Sequence, residues 1–162
     1  MSETVTIRLA KENMKFSAAH FTLFNAHERE RLHGHNFRVE VDIEARMLGN
    51  GMCFDYGIYK DRVVALCREL NEWMILPTRS QYLRIEEEGE HVFAHFNGQR
   101  IPFLRSDVKL LPIENATLEE FAAWFLQRLG EDREALQAHG IAAIEVRVLS
   151  GPGQSAGRRM GF

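Results

Sequence analysis

The stretch "HGHNFRVEVDIEAR", residues 33–46, constrains the fold of this chain more than any other segment. Successive side chains of a β-strand point to opposite faces, so strict alternation of apolar and polar residues predicts a half-buried strand. His33 and His35 continue the alternation at its start, and their imidazoles should lie on one face about 7 Å apart along the backbone. The apolar face is formed by Phe37, Val39, Val41 and Ile43.

The rest of the chain predicts few helices and several short strands. Apolar residues recur at helical spacing from Phe54 to Met74, and a second helix should begin at Thr117 and end at Gly130. Residues 82–104 read as short strands around an Asn-Gly turn, and "IAAIEVRVLS" reads as the last strand. This order indicates an α+β fold, and residues 1–162 are expected to form a single domain.

Composition excludes several classes of function. The formal net charge is −3 with 45% hydrophobic residues, which disfavours binding to nucleic acid or to an anionic membrane surface. The first residues lack the apolar core of a signal peptide, so we expect a cytoplasmic protein without a membrane partner. Cys53 and Cys67 have no metal-type spacing, and Cys67 lies on the apolar stripe of the first predicted helix.

The histidines suggest a metal site. His20 ends a second alternating segment, "FSAAH", and would come near His33 and His35 if the two strands paired as a hairpin. Three neutral imidazoles can bind zinc (Zn2+) and leave its fourth position open, as in catalytic sites. Two histidines two residues apart also occur on strands without a metal, so spacing alone leaves the site open. No such arrangement is predicted for His27, His91, His95 or His139.

Five motifs together resemble one family. "FSAAH", "HGHNF", "GMCFDYG", "LPIENATLEEFA" and "VRVLSGPGQSA" occur in the order found in the 6-pyruvoyltetrahydropterin synthase and 6-carboxytetrahydropterin synthase family. The resemblance implies a T-fold: an antiparallel four-stranded sheet with two helices on one face, to which residues 82–104 would add a small hairpin insertion. It also implies that His20, His33 and His35 are zinc ligands.

The resemblance further implies a homotrimer or a homohexamer. Bare strand edges favour aggregation unless another subunit covers them. The strands at residues 33–47 and 141–150 carry no edge-blocking proline, so we expect closure through strand edges.

At three places this chain lacks the catalytic or binding residues that the family resemblance implies. The family's substrate is 7,8-dihydroneopterin triphosphate, and bacterial members use a cysteine thiolate four residues before the histidine pair as the base. Arg29 stands at that position. The family's Asp-His pair corresponds to Asn71 and Glu72, and its ring-binding glutamate corresponds to Ser150, a neutral hydroxyl.

Glu30 offers a replacement for the missing thiolate. It gives "ExxHGHN", which resembles a branch of the family that uses a glutamate and forms 6-hydroxymethyl-7,8-dihydropterin, a folate precursor. A carboxylate beside zinc can act as a general base. The alternative is that "HERERL" is only a solvated charged loop. Glu72 is the next candidate for the base.

Two residues of the second helix are candidate pterin contacts by resemblance, together with Ser150. They are Thr117 and Glu119. Both also have a purely structural interpretation, because Thr117 can cap the helix and Glu119 would interact favourably with its dipole.

Three functions follow as hypotheses. The first is a zinc-dependent pterin lyase or synthase of the carbon-oxygen or carbon-carbon lyase type that uses Glu30. The second is a noncatalytic or repurposed T-fold protein that retains the metal and a pterin pocket. The third, formation of 6-carboxytetrahydropterin on the queuosine route, ranks below both because ordinary members require the cysteine.

Overall fold

One long strand organises the chain, which a computed structural model describes over residues 3–162. This part of the chain contains three α-helices: α1 (Gly57–Leu70), α2 (Leu118–Leu129) and α3 (Arg133–Ala138). Its strands are β1 (Thr4–Leu9), β2 (Lys15–His20), β3 (His33–Arg46), β4 (Trp73–Pro77), β5 (Arg84–Glu88), β6 (His91–Phe96), β7 (Gln99–Leu104), β8 (Val108–Leu111), β9 (Ile141–Gly151) and β10 (Gln154–Gly161).

The 14-residue β3 is the centre of a seven-stranded mixed sheet. Six strands follow the order β10-β9-β3-β2-β4-β8, and the seventh, β1, also pairs with β3. β2 pairs with residues 33–38 of β3, and β1 pairs with residues 41–46. Both therefore run along the same edge of β3, while β9 pairs antiparallel along the other edge. β4 lies parallel to β2, and β8 lies parallel to β4.

The helices cover one face of this sheet. Val41, Ile43 and Ala45 of β3 are completely buried, as the alternation of their sequence predicts. Phe121, Phe125 and Leu129 of α2 recur at four-residue spacing and are also completely buried. The apolar core therefore lies between the sheet and the helices.

The opposite face of the sheet carries ion pairs. Arg8 on β1 bonds Asp42 on β3 at 2.8 Å, and Arg159 on β10 contacts Glu44 at 2.6 Å. Each of these pairs joins neighbouring or next-nearest strands. The sheet therefore has one apolar face and one charged face, which is the division that an α+β layer requires.

Residues 84–104 form the predicted insertion, a three-stranded antiparallel sheet of β5, β6 and β7. Asn97 and Gly98 connect β6 to β7 with positive φ values of 47° and 76°, as an Asn-Gly hairpin turn requires. Apolar residues of this sheet form a second core cluster with Phe21, Leu23 and Leu76. The insertion is thereby packed against the segment that follows β2.

The α+β class and the T-fold are confirmed, but four strands are too few, and the sheet is mixed and not antiparallel because β4 and β8 add parallel pairs. The predicted helix at residues 54–74 extended into the first two residues of β4, which was not predicted as a strand. A short buried run such as "WMILP" has no periodicity that distinguishes a strand from a helix. The helix ends at Leu70, and Glu72 has a left-handed φ of 65° that separates it from β4. β8, β10 and the short α3 were also not predicted.

The prediction that the strands at residues 33–47 and 141–150 are sheet edges is wrong. Residues 33–47 and 141–150 belong to β3 and β9, which are internal because each pairs on both sides. The path of the sheet ends at β8 and β10. None of the helices in residues 3–162 is both long enough and apolar enough to cross a membrane.

Replacement of Phe37 by alanine should destabilise the protein strongly. Phe37 is 1% exposed, stacks on Phe16 with 4.9 Å between ring centroids and meets Phe121 edge to face at 5.2 Å. We expect a loss of about 3–5 kcal/mol, because removal of a packed aromatic ring leaves a cavity. Denaturant unfolding at fixed protein concentration measures this loss.

Phe24→Ala is the matched control, because Phe24 is 61% exposed. Its free energy of unfolding should change by only about 0.5 kcal/mol. Equal losses in the two variants would contradict the assignment of Phe37 to the core beneath the histidines.

Candidate metal centre and neighbouring carboxylate

The pairing of β2 with β3 brings three histidines together. His20 and His33 are direct partners in the register, and His35 lies opposite Ala18. The centroids of the imidazole rings are 4.7 Å apart for His20 and His33 and 4.8 Å apart for His33 and His35. One ligand atom from each ring lies within 4.8 Å of the other two, so the cluster could hold a metal ion.

Gly34 allows the two strands to approach at this point. A Cβ atom at this position would lie 3.1 Å from the carbonyl oxygen of Ala18. A side chain there would push β2 and β3 apart and disturb their pairing. The close approach of the two strands therefore explains why a glycine lies between His33 and His35.

Backbone carbonyls orient two of the imidazoles. His20 Nδ1 lies 2.6 Å from the carbonyl oxygen of Ala116, and His33 Nδ1 lies 2.6 Å from that of Arg31. A ring N–H that donates to a carbonyl leaves the Nε2 lone pair free for a metal. Both rings are thus held in the tautomer that a metal ligand requires.

The buried histidine supports a cation between the rings. His20 is 5% exposed, and its Nε2 atom is buried without a hydrogen-bond partner in the described residues. Burial lowers the pKa of His20, so its imidazole is neutral at neutral pH. His33 Nε2 and His35 Nε2 lie 3.0 Å apart. These donors fit a metal that prefers imidazole, such as zinc, copper, iron or nickel.

Glu30 lies beside this cluster. Its Oε2 atom is 3.7 Å from His33 Nε2, and its Oε1 atom accepts a hydrogen bond from the backbone N–H of Thr22 at 2.9 Å. Burial opposes ionisation, but the Thr22 hydrogen bonds and the nearby His33 outweigh it and hold the pKa of Glu30 below its ordinary value. The group is therefore a carboxylate at neutral pH and can accept a proton.

A hairpin at residues 22–30 carries Glu30. The backbone N–H of Glu30 donates to the carbonyl of Thr22 at 2.9 Å, and Leu23 forms a β-bridge with Arg29. Asn115 contacts Leu23 from outside the hairpin. Sequence reasoning missed Thr22 and Asn115, because a contact through backbone groups leaves no pattern in the residue types.

Arg29 has a structural role in this hairpin. Its guanidinium lies over the ring of Phe21, 5.0 Å from the centroid, and 5.9 Å from that of Phe96 in the insertion. Its Nη1 atom donates to the carbonyl of Glu30 at 2.9 Å. Arg29, at the position where the family resemblance implies a cysteine, thus packs between aromatic rings.

Glu72 borders a groove that is also lined by His35 of the metal cluster. It is exposed, and this open groove of about 560 Å³ is lined by Ser17, Gly34 and Asn36 as well. No side-chain hydrogen bond or ion pair joins the Glu72 carboxylate to the histidines among residues 3–162. Its role as an alternative base stays a prediction without a supporting contact.

Thr117 and Glu119 are near the cluster in the chain but differ in their surroundings. Thr117 caps α2, and its Oγ1 atom accepts from the backbone N–H of Glu120 at 3.3 Å. It directly follows Ala116, the partner of His20. Glu119 is exposed in the first turn. The predicted cap is present, and a pterin contact stays a prediction for both.

Ser150 is half-buried near the end of β9. Its hydroxyl donates to Gln154 Oε1 at 3.4 Å, across the turn to β10. This hydrogen bond does not involve the histidine cluster. A role of Ser150 in binding a pterin ring therefore also stays a prediction.

Neither cysteine is placed to act as a base. Cys53 is 4% exposed and contacts the carbonyl of Ala45, near the end of β3 opposite to the histidines. Cys67 is 1% exposed in α1, and burial raises the pKa of its thiol to about 12. Both thiols are therefore buried structural groups of the core, away from the histidine cluster.

Comparison with known proteins identifies the family. Residues 8–159 match the model of the family described as 6-pyruvoyl tetrahydropterin synthase. The T-fold and the three converging histidines agree with this match. The chain belongs to this family of pterin synthases. A Methanocaldococcus jannaschii protein, provisionally named 6-carboxy-5,6,7,8-tetrahydropterin synthase, is 28% identical over 144 residues, which cover 88% of each chain.

Solved structures from two malaria parasites are similar over their whole length. The 6-pyruvoyl tetrahydropterin synthase of Plasmodium vivax has a TM-score of 0.93 at 28% identity, with 99% of each chain covered. The enzyme of Plasmodium falciparum gives the same score and identity with 100% of each chain covered. Two further P. vivax structures carry alanine or cysteine in place of a glutamate described as a catalytic residue.

Loss of any one histidine of the cluster should abolish tight metal binding. His20→Ala, His33→Ala and His35→Ala each leave two imidazoles, and we expect the affinity to fall by more than about 100-fold. Metal content after dialysis and titration with zinc measure the effect. The wild type should hold about one ion per chain.

His91→Ala is the control for metal binding. His91 is exposed on the insertion, and its ring stacks on Phe93. Its removal should leave the metal content unchanged. An undiminished content in any of the three cluster variants would overturn the assignment.

Proposed function

We propose that this protein is a zinc-dependent pterin lyase that acts on 7,8-dihydroneopterin triphosphate and forms 6-hydroxymethyl-7,8-dihydropterin. One observation carries the proposal: the Glu30 carboxylate lies 3.7 Å from a ring nitrogen of the three-histidine cluster. In a chain whose two thiols are both buried, this carboxylate is the base best placed beside the cluster.

Each residue has a stated task in this reaction. A zinc ion held by His20, His33 and His35 would act as a Lewis acid on the side-chain hydroxyl groups of the substrate. Glu30 would accept the proton of the hydroxyl on the second side-chain carbon while the bond between the first and second side-chain carbons breaks. The second and third carbons would leave as an aldehyde that carries the triphosphate, and the electron pair of the broken bond would stay on the first carbon. Glu30 would then return the proton to this carbon, which becomes the hydroxymethyl group, so that the proton balance closes.

The pterin ring would be bound by polar groups outside the cluster. Thr117 and Glu119 are the proposed contacts, and Ser150 would contribute a single neutral hydrogen bond in place of a carboxylate. A hydroxyl pairs less strongly than a carboxylate with the guanidine-like edge of a pterin. We therefore expect weaker binding of the ring than in a relative that has the carboxylate.

The curated relatives favour a second candidate, formation of 6-carboxytetrahydropterin. The M. jannaschii protein and one from Pyrococcus abyssi, 30% identical over 139 residues, are provisionally named for this product. A noncatalytic pterin-binding protein is the remaining alternative. Incubation of the zinc-loaded protein with 7,8-dihydroneopterin triphosphate and identification of the products separates the three, because each predicts a different product or none.

Glu30→Gln should abolish turnover and preserve the structure. The amide keeps an acceptor for the Thr22 N–H but cannot accept a proton, so we expect kcat to fall about 100- to 10,000-fold. Zinc content and melting temperature should stay unchanged. The rate of formation of 6-hydroxymethyl-7,8-dihydropterin at neutral pH measures the loss.

Glu28→Gln provides the matched control in the same hairpin. Glu28 is exposed, and its carboxylate accepts a hydrogen bond from Asn25 at the tip. Its substitution should leave the rate unchanged. If an active wild type loses less than about threefold on Glu30→Gln, Glu30 is only a loop charge and the base lies elsewhere.

We also propose that the chain assembles into a homotrimer or a homohexamer. The path of the main sheet ends at β8 and β10, and β10 is an eight-residue strand without proline. An uncovered strand of this length invites pairing with another chain. Pairing between copies would cover both edges and close the sheet.

Light scattering should therefore give a mass of three or six times the 18.7 kDa of one chain. The substitution Arg158→Pro in the middle of β10 removes a backbone hydrogen-bond donor. It should shift the protein from the assembled form towards smaller oligomers and monomers. A wild type that sediments as a monomer at micromolar concentration would refute the assembly.

A further inference from the structure

The hairpin that carries Glu30 is held from outside by one side chain. Asn115 Oδ1 accepts from the backbone N–H of Leu23 at 3.0 Å, and Asn115 Nδ2 donates to the carbonyl of Leu23 at 2.8 Å. An amide that pairs with both backbone groups of one residue takes the place of a neighbouring strand. It fixes both the position and the orientation of Leu23.

Leu23 transmits this constraint to the carboxylate. On its other side Leu23 forms a β-bridge with Arg29, and the residue before it is Thr22. Two hydrogen bonds of 2.9 Å join Thr22 to Glu30, one between their backbones and one from the Thr22 N–H to the carboxylate. Displacement of Leu23 would therefore move the group that holds Glu30.

The segment that contains Asn115, directly before α2, also contacts the metal cluster. The carbonyl of Ala116, the residue after Asn115, lies 2.6 Å from His20 Nδ1. Thr117 then begins α2, whose first turns pack into the core. Asn115 and Ala116 thus touch both halves of the site from one anchored segment.

We propose that Asn115 is a positioning residue that sets the distance between the Glu30 carboxylate and the three-histidine cluster. The inference rests on the proposed role of Glu30 as the base. Asn115 acts through Leu23 and Thr22 and not on the reacting atoms. A general base must lie within hydrogen-bond reach of its proton, so a small shift of the hairpin lowers the rate.

The test compares Asn115→Ala with Asn25→Ala, alone and in a Glu30→Gln background. Asn25 is an asparagine of the same hairpin, and its Oδ1 atom accepts only from the backbone of His27 and Glu28 at the tip. Asn115→Asp serves as a second variant of almost the same shape if the alanine variant does not fold. It removes the donor to Leu23.

Asn115→Ala should lower kcat about 10- to 100-fold, because the base is misplaced but still present. KM and zinc content should change by less than about twofold, as the ligands and ring contacts are intact. In the Glu30→Gln background the same substitution should cost less than about twofold, since there is no base left to position. Asn25→Ala should leave kcat unchanged.

Equal losses in both backgrounds would show that Asn115 acts independently of Glu30 and would overturn the inference. Hydrogen exchange of the peptide that spans residues 21–31 gives a readout without turnover. In Asn115→Ala, exchange at Thr22 and Glu30 should accelerate by more than about tenfold relative to the wild type and Asn25→Ala. Unchanged exchange refutes the positioning role, whereas an inactive wild type with accelerated exchange refutes only the proposed reaction.

Discussion

The register between β2 and β3 is the constraint on which the site depends. It sets His20 opposite His33 and leaves His35 on the same face, two residue pairs further along. A slip of one residue would turn the histidines of one strand to the opposite face, because side chains alternate along a strand. The stacked rings of Phe16 and Phe37 stabilise this register from the core, directly below the cluster. Metal binding and core packing are therefore linked through the same pair of strands.

A second constraint comes from a segment far away in the chain. The loop before α2 contributes the carbonyl that orients His20, the amide that holds Leu23 and the hydroxyl that caps the helix. Because consecutive residues make these contacts, the beginning of α2 is linked to both the metal cluster and the hairpin of Glu30. In the proposed positioning role of Asn115, this segment sets the distance between the carboxylate on the hairpin and the histidines on the sheet. The insertion also contacts the hairpin, because the Arg29 guanidinium lies 5.9 Å from the ring centroid of Phe96 on β6.

The chemistry available to the site follows from what is buried. Both thiols are buried in the core, Cys53 at the end of β3 opposite to the histidines and Cys67 in α1, whereas the Glu30 carboxylate lies beside the cluster and accepts a backbone N–H. The solved 6-pyruvoyl tetrahydropterin synthase of Plasmodium vivax shares this fold, and the Methanocaldococcus jannaschii relative is provisionally named for 6-carboxytetrahydropterin. In the proposed reaction of this chain, Glu30 is the group that moves the proton. The product is therefore expected to depend on the base and on the ring contacts, and not on the fold.

Local pattern alone determined the strand at residues 33–46, the Asn-Gly hairpin, the helix cap at Thr117 and the motifs that identify the family, because each depends on neighbours in the chain. Tertiary structure decided the features that depend on pairing between distant segments. It made β4 a strand and not the end of a helix, since burial on both faces removes the periodicity that distinguishes the two. It also turned β3 and β9 into internal strands and β8 and β10 into the ends of the sheet. Most of all it brought the side-chain amide of Asn115 to the backbone of Leu23, 92 positions apart, and backbone groups, which every residue type possesses, do not reveal such a partner in a sequence.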